Sequence, residues 1–375
     1  MIKMTVQDIN EYVGTTVNPL NSPDTMYELY SVPSFDSDYP EVLHGSEIGS
    51  SKVTVEENDV LVCKINPRIN RVWVVKHHTN HQLIASSEWV IIRSPKNDAR
   101  YLKYYFQSPT FRTYINSGLT GIGGSLTRAQ PKQIAKYPVP ISNIEIQHSI
   151  ADTLDKLQSL ITHRKQQLEK LDELVKARFV EMFMGKDYPI LTLDSLSVSK
   201  GEYGAQSSAI EYDSTRPRYV RITDINDDGT LNDDTVSSSN IDDDIQYKLS
   251  YGDFLFARMG ATVGKSYAYK SGNQIYAGYL IRYKLNLEKI LPDYLYSYTR
   301  LNEYWEWVKL NQSGAAQPGI NAKKYGSLQI PVAPIHEQNQ FAAFVTQVDK
   351  SKVAVQKALD EAQLLFDSLM QEYFG

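Results

Sequence analysis

The most regular hydrophobic pattern in the chain lies between residues 144 and 184, where apolar side chains recur at steps of four and three. This spacing places them on one narrow stripe of a helix, which is the pattern of a coiled-coil seam. The predicted seam positions are Ile150, Leu154, Leu157, Ile161, Leu168, Leu171 and Val175. Because so narrow a stripe does not fill a globular core, the helix needs one partner helix.

The same register recurs near the C-terminus and supplies that partner. The second set of seam positions is Phe341, which follows Ile150 by 191 residues, with Val345, Val348, Val355, Leu359, Phe366 and Leu369. Gln147 and Gln338 match at the same offset, so the pattern predicts an internal duplication. The segment between the helices must reach the end of the first and the start of the second. We therefore expect an antiparallel pair with pseudo-twofold symmetry.

The segments outside the helices carry the patterns of globular domains. Residues 53–65, 72–76 and 83–93 have strand-type runs, and residues 99–116 have helical spacing that Pro109 should break. The predicted division is a first domain at 1–142, a central helix at 143–184, a second domain at 185–333 and a C-terminal helix at 334–375. The predicted fold class is mixed α+β: two globular α/β domains separated by two long helices that form an antiparallel coiled coil.

Composition narrows the class of protein. With 42% hydrophobic and 22% charged residues, the chain is ordinary globular material. The single cysteine, Cys63, excludes an internal disulfide, and neither a secretory signal nor a long apolar run is present, so we expect a cytoplasmic protein without a membrane segment. A net charge of −5 argues against indiscriminate nucleic-acid binding and leaves room for local basic clusters.

Residues at the ends of the helices resemble a known family. The second helix is entered through Pro334-Ile335-His336-Glu337-Gln338 and Phe341-Ala342, the first through Ile146-Gln147 and Ile150-Ala151, and the helices end in Glu181-Met182-Phe183 and Glu372-Tyr373-Phe374. Residues 219–225 and 252–264 are similar to common target-recognition segments. The chain resembles the specificity subunit of type I restriction-modification systems over essentially its whole length, although Ile146 stands where the family usually has Glu.

This resemblance implies a sequence-specific DNA-binding subunit that has no catalytic residues, metal or cofactor of its own. Each domain, as a target recognition domain, would recognise one half of a bipartite, asymmetric double-stranded DNA target, and the helices would set the unread spacer. The implied partners are two methyltransferase (modification) subunits docked on the helices, and a restriction subunit. S-adenosylmethionine, and ATP with Mg, would then belong to those partner subunits.

Candidate DNA contacts cluster in turns that combine cations with amides. Arg can contact guanine through two hydrogen bonds, Asn can contact adenine, and either can hold a phosphate. In the first domain the candidates are Lys64, Asn66, Arg68, Asn70 and Arg71, and in or beside the glycine-rich loop 117–131 they are Arg128, Gln130 and Lys132. In the second domain they are Arg216, Arg218, Arg258, Thr262, Lys265 and Tyr267, then Gln312, Gln317, Asn321, Lys323 and Lys324. The competing interpretation of each turn is a solvated surface loop.

Two other classes of protein remain open. A DNA methyltransferase would carry an Asn/Asp-Pro-Pro-Tyr-type motif, whereas Asn66-Pro67 is followed by Arg68 and Ile69, and the paired carboxylates and lysine of a nuclease are missing. A bivalent scaffold that binds protein or glycan would fit the duplication equally well, and only the family motifs argue against it. The histidines in His77-His78-Thr79-Asn80-His81 lack nearby ligands to complete a metal site.

Overall fold

The structure is a computed structural model that describes residues 2–117, 127–241, 244–314 and 318–375. It divides into two compact units. The first unit is Met1–Lys165 with Lys357–Gly375, and the second unit is Gln166–Gln356. The boundaries fall within the two long helices, so each of these helices contributes to both units.

The secondary structure of the described residues is mixed α and β. The α-helices, numbered α1 to α9, are Val6–Ile9, Ala99–Gln107, Pro109–Ser117, Pro131–Ala135, Ile144–Phe183, Pro292–Tyr298, Asn302–Asn311, Ala322–Gly326 and Ile335–Phe374. Strands β1 to β10 are Ile2–Thr5, Thr16–Val17, Met26–Tyr30, Glu41–His44, Lys52–Thr54, Val60–Cys63, Val72–Val74, Gln82–Ala85, Trp89–Ile92 and Pro138–Ile141. Strands β11 to β20 are Ile190–Thr192, Glu202–Tyr203, Ala209–Glu211, Arg218–Val220, Ser237–Ser239, Asp253–Ala257, Ser266–Ala268, Gln274–Tyr276, Leu280–Lys284 and Gln329–Pro331. The predicted α+β class is confirmed.

The two long helices, α5 and α9, are 40 residues each and begin 191 residues apart, at Ile144 and Ile335. All fourteen predicted seam positions are buried or half-buried, while most positions between them are exposed. The side chains on the stripe are therefore withdrawn from water along the full length of both helices.

The helices pack antiparallel within each unit. In the first unit, Ala151 and Leu154 near the start of α5 share a core with Met370 and Phe374 at the end of α9. In the second unit the end of α5 meets the start of α9, where the rings of Phe179 and Phe341 have centroids 5.4 Å apart. The predicted antiparallel pairing is confirmed.

The first unit builds its core from three sheets and the helices beside them. A five-stranded sheet has the order β2-β5-β8-β3-β4, a three-stranded sheet has the order β7-β6-β9, and β1 pairs with β10. The central strand β6 is fully buried and includes Cys63. The predicted helix 99–116 is two helices, because α2 ends before Ser108 and Pro109 begins α3.

The second unit repeats this plan with different detail. Its largest sheet has the order β12-β19-β16-β17, and β11 pairs with β20 as β1 pairs with β10. Helix α4 begins at Pro131, and helix α8 begins 191 residues later, at Ala322. Buried aromatic residues dominate its core, including Phe254, Phe256, Tyr283 and Tyr304. Within the described ranges, every helix is too short or too polar to cross a membrane.

Candidate nucleic-acid interface

In the first unit, two candidate segments that are distant in sequence lie side by side. The chain leaving β6 forms a bridge to the end of the glycine-rich segment, with Ile65 opposite Arg128. The amide of Asn66 donates to the carbonyl of Thr127 at 3.0 Å, and the amide of Ala129 donates to the carbonyl of Lys64 at 2.9 Å. This pairing places the basic turn 64–71 next to Arg128.

The turn itself is shaped by two asparagines. Asn66 and Asn70 have φ of 47° and 53°, a left-handed conformation that asparagine tolerates better than most residues. They flank the 3₁₀ turn Pro67–Ile69, and the buried Asn70 side chain donates to the carbonyl of Phe106 at 3.0 Å. Asn70 therefore stabilises the turn, while Arg68 at its tip is exposed.

The remaining candidates of the first unit differ in how strongly they are held. Lys64 donates to the carbonyl of Ser87, Arg128 pairs with Glu88 at 3.0 Å, and the half-buried Arg71 is 3.8 Å from Asp36. Arg68 and Lys132 are exposed, and neither has an ion-pair partner within the described ranges. Gln130 is exposed directly before α4. The glycine-rich loop from 118 to 126 lies outside the described residues.

The second unit contains the same pairing of segments. The chain leaving β16 bridges to the later loop, with Met259 opposite Gly319, and Gly319 follows Arg128 by 191 residues. The amide of Gly260 donates to the carbonyl of Pro318, and that of Ile320 to the carbonyl of Arg258, both at 2.9 Å. The duplication therefore extends from the helices into the candidate interface, which we call the paired loops: residues 64–71 with 127–132, and residues 258–265 with 318–324.

The candidates on the second paired loops contact other groups of the same unit. The guanidinium of Arg258 lies 4.8 Å from the ring centroid of Tyr203. Lys265 pairs with Asp227 at 2.8 Å, and Thr262 donates to the carbonyl of Met259 at 3.1 Å. The Asn321 side chain caps α8 by accepting from the amide of Lys324 at 2.9 Å. Lys324 in turn donates to the carbonyl of Asn311.

The remaining candidates of the second unit differ in their exposure and in the groups that they contact. Tyr267 is buried and donates to Gln274 at 2.9 Å, while Arg218 pairs with Asp233 at 2.7 Å. Both line a cavity within this unit and are not among the paired-loop residues. Arg216 donates to the carbonyl of Ser239 at 3.0 Å. Lys323 and Gln312 are exposed, and Gln317 lies outside the described residues.

Sequence reasoning missed two exposed tyrosines beside the second paired loops. Tyr203 is 41% exposed and its hydroxyl accepts from the amide of Ala322 at 3.2 Å. Tyr279 is 56% exposed, and its carbonyl accepts from the amide of Arg258 at 3.0 Å. The sequence did contain a signal for both tyrosines, because Gly204 follows Tyr203 and Gly278 precedes Tyr279. At Gly204 a Cβ would lie 2.3 Å from the carbonyl oxygen of Ala277, so the backbones approach closely there.

A comparison with known protein families identifies the family to which this chain belongs. A sequence model of the type I restriction modification DNA specificity domain matches residues 7–172 and, again, residues 196–362. The chain belongs to this family and carries two copies of its domain.

Individual relatives agree with this assignment. The chain is 22% identical over 293 residues to the type I restriction enzyme StySPI specificity subunit of Salmonella potsdam, covering 72% of this chain and 63% of that protein. The chain therefore spans about 63% of the length of this curated relative.

Solved structures share the fold. A chain from a structure on complex assembly and conformational transition of the type I restriction-modification system has a TM-score of 0.60 at 16% identity, covering 100% of this chain and 97% of its own. A type I restriction-modification S subunit from M. genitalium has a TM-score of 0.59 at 13% identity, covering 100% and 96%.

Proposed function

We propose that this chain is the DNA specificity subunit of a type I restriction-modification system. Each recognition domain contacts one half of a bipartite, asymmetric target in double-stranded DNA, and the paired helices set the length of the unread DNA between the halves. The chain contributes recognition and no catalytic group. The setting for this activity is the cytoplasm.

The observation that carries this proposal is the duplication of the paired loops with different side chains. Ile65 opposite Arg128 in the first unit corresponds to Met259 opposite Gly319 in the second. The backbone frame is the same, yet the first loop presents the exposed Arg68 in its turn, and the second presents the half-buried Arg258 beside Tyr203 at the end of its strand. A shared frame with unlike contact residues is what two unlike half-sites require.

The chemistry of these side chains suits base and phosphate contacts. A guanidinium can donate two hydrogen bonds to guanine, and the lysines Lys132 and Lys323 can neutralise phosphates. Both lysines are exposed, and they are 191 residues apart. Because several neighbouring cations are already paired with carboxylates, we assign base recognition to Arg68 and Arg258 and phosphate contacts to the lysines.

The partner subunits dock on the long helices. Outside their seam, both helices expose large apolar side chains, which isolated helices in water do not usually retain. These are Leu160, Leu174 and Val180 on α5, and Val353, Leu364 and Leu365 on α9. Two modification subunits occupy this surface and supply S-adenosylmethionine, and a restriction subunit supplies ATP with Mg.

Methylation mapping tests the proposal directly. DNA from cells that express this chain with its modification subunit should carry methylated adenines or cytosines in a split motif with a fixed gap. Cells expressing the modification subunit alone should lack that motif. If purified chain and modification subunit fail to bind any duplex, the bivalent scaffold becomes the better description, and methyl transfer by the isolated chain would favour an enzyme.

A further inference from the structure

The second unit contains a cavity of about 640 Å³, a size typical of small-molecule sites. It lies where α5, α9 and α6 meet the strand β17. Val175, Val345, Ala268 and Leu231 supply apolar wall, and Tyr296 and Ser297 line it from α6. All the lining residues belong to the second unit.

The internal duplication explains why this space is open. In the first unit the corresponding volume is filled by Tyr104 and Phe366, whose rings lie 6.1 Å apart in an edge-to-face arrangement. Phe366 follows Val175 by 191 residues, and Ser297 follows Tyr104 by 193, the offset that relates Tyr101-Leu102 to Tyr294-Leu295. Two aromatic rings are thus replaced by the small side chains of Ser297 and Val175, both at the cavity wall.

A third replacement does not contribute to the opening. On the strands, Val60 opposite Val74 in the first unit corresponds to Phe254 opposite Ala268 in the second. The larger Phe254 offsets the smaller Ala268, so the volume across this strand pair is conserved. The open space comes from the α6 and α5 positions, with a smaller change on α9, where the cavity-lining Val345 follows Leu154 by 191 residues.

The polar groups around the cavity define what could fill it. The guanidinium of Arg300 lies 4.4 Å from the ring centroid of Tyr296, which forms a flat wall suited to stacking. Within the described ranges, neither the carboxylate of Asp293 nor the hydroxyl of Ser297 makes a hydrogen bond to another side chain or to backbone, and both residues line the cavity. They could accept hydrogen bonds from the edge of a ligand.

We propose that this cavity binds a planar heteroaromatic molecule that carries an N–H donor, of the size and type of a purine base. The flat ring occupies the volume that Tyr104 and Phe366 fill in the other repeat. The exocyclic amine donates to Asp293, and the ring stacks on the wall formed by Tyr296 and Arg300. This site is separate from the paired loops, and the proposal does not depend on the chain's role in DNA recognition.

Calorimetric titration of the full chain with adenine tests the site. We expect saturable binding of one adenine per chain. Val175→Phe and Ser297→Tyr restore the residue types that fill the other repeat, and each should weaken binding at least tenfold. The matched control is Val198→Phe, which makes the same change at a valine that is 66% exposed and outside the cavity, and it should leave binding unchanged. Asp293→Asn should also weaken adenine binding about tenfold, since a charged acceptor is lost.

Ligand and assembly controls separate the alternatives. 9-Methylpurine, which has no N–H donor, should bind more weakly than adenine and should be insensitive to Asp293→Asn. Thermal unfolding verifies that each variant folds. If one of the two filling variants does not fold, adenine binding by the other and by Asp293→Asn still tests the site. Absence of saturable adenine binding, or binding unchanged by both filling variants, would overturn the proposal. If the filling variants instead impair only assembly with the modification subunit, the cavity anchors a protein side chain, and the small-molecule assignment is wrong.

Discussion

At the scale of single residues, Gln147 and Gln338 show how the duplication preserves chemistry as well as shape. Both side chains are fully buried at the start of a long helix. The Gln147 amide donates to the carbonyl of Ser142 and to Asn97, both at 2.9 Å, and accepts from the amide of Asp98 at 3.0 Å. Gln338 makes three corresponding bonds: its amide donates to the carbonyls of Ala333 and Lys289 and accepts from the amide of Leu291. Each glutamine therefore ties the start of its helix to the turn that precedes α2 or α6.

Removing either glutamine should lower stability. Gln147→Ala would leave the part-buried amide of Asp98 without its acceptor, so we expect a loss of about 1–3 kcal/mol in the free energy of unfolding. Urea denaturation measures it. Gln158→Ala is the matched control, because Gln158 is exposed on the same helix. Equal effects of the two substitutions would contradict the role assigned to Gln147.

A second residue-scale prediction concerns alkaline pH. Burial raises the pKa of Tyr30 to about 12, and its hydroxyl donates to the carbonyl of Lys76 at 2.6 Å. In the unfolded chain a tyrosine loses its proton near pH 10. Between pH 10 and pH 12 this tyrosine is deprotonated in the unfolded state and still protonated in the folded state. Raising the pH from 10 to 12 therefore lowers the contribution of Tyr30 to the free energy of unfolding by about 2–3 kcal/mol in total.

This effect can be isolated by mutation. Tyr30→Phe should have a smaller fall in unfolding free energy between pH 9 and pH 12 than the wild-type chain, although other buried tyrosines keep some of the slope. Tyr39→Phe changes an exposed tyrosine and should leave the slope as it is. Identical slopes in all three proteins would rule out the contribution of Tyr30.

At the scale of elements, the long helices were the most predictable part of the molecule. Their seam follows from a repeat that is visible in the sequence, and burial at positions such as Leu154 and Leu359 agrees with it. The break at Pro109 was equally predictable, because proline has no amide hydrogen to donate inside a helix.

The candidate interface was predictable only in part. Residue type and position relative to the strands indicated Arg68 and Arg258. The side-by-side pairing of residues 64–66 with 127–129 was not predictable, because contacts over so long a sequence separation leave no periodic signal. Burial of Tyr267 and Asn70 was missed for a related reason: their partners, Gln274 and Phe106, are fixed by tertiary packing.

The seam prediction can be tested by comparing two leucines of one helix. Leu154→Ala removes a fully buried side chain from the core of the first unit and should cost about 2–5 kcal/mol. Leu160→Ala alters a side chain that is 39% exposed, so its cost should be below about 1 kcal/mol. Chemical denaturation measures both, and a larger effect at Leu160 would contradict the assigned seam.

At the scale of the whole molecule, duplication and divergence coexist. The helices, the buried glutamines and the paired loops are related by offsets near 191 residues, whereas the side chains that the loops present differ. Cavity filling differs too, since Tyr104 and Phe366 in one unit correspond to Ser297 and Val175 in the other. The scaffold is repeated, and the surfaces that could contact ligands are not.

The central claim is that each recognition domain governs one half of the DNA target, and methylation mapping with two variants tests it most directly. Arg68→Ala and Arg258→Ala, each expressed with the modification subunit, should weaken or relax recognition of different halves of the split motif, by about 1–3 kcal/mol at the affected base. Lys96→Ala, an exposed lysine outside the paired loops, is the control and should reproduce the wild-type map. Changes confined to the same half in both arginine variants, or an undivided motif in the wild type, would contradict the account.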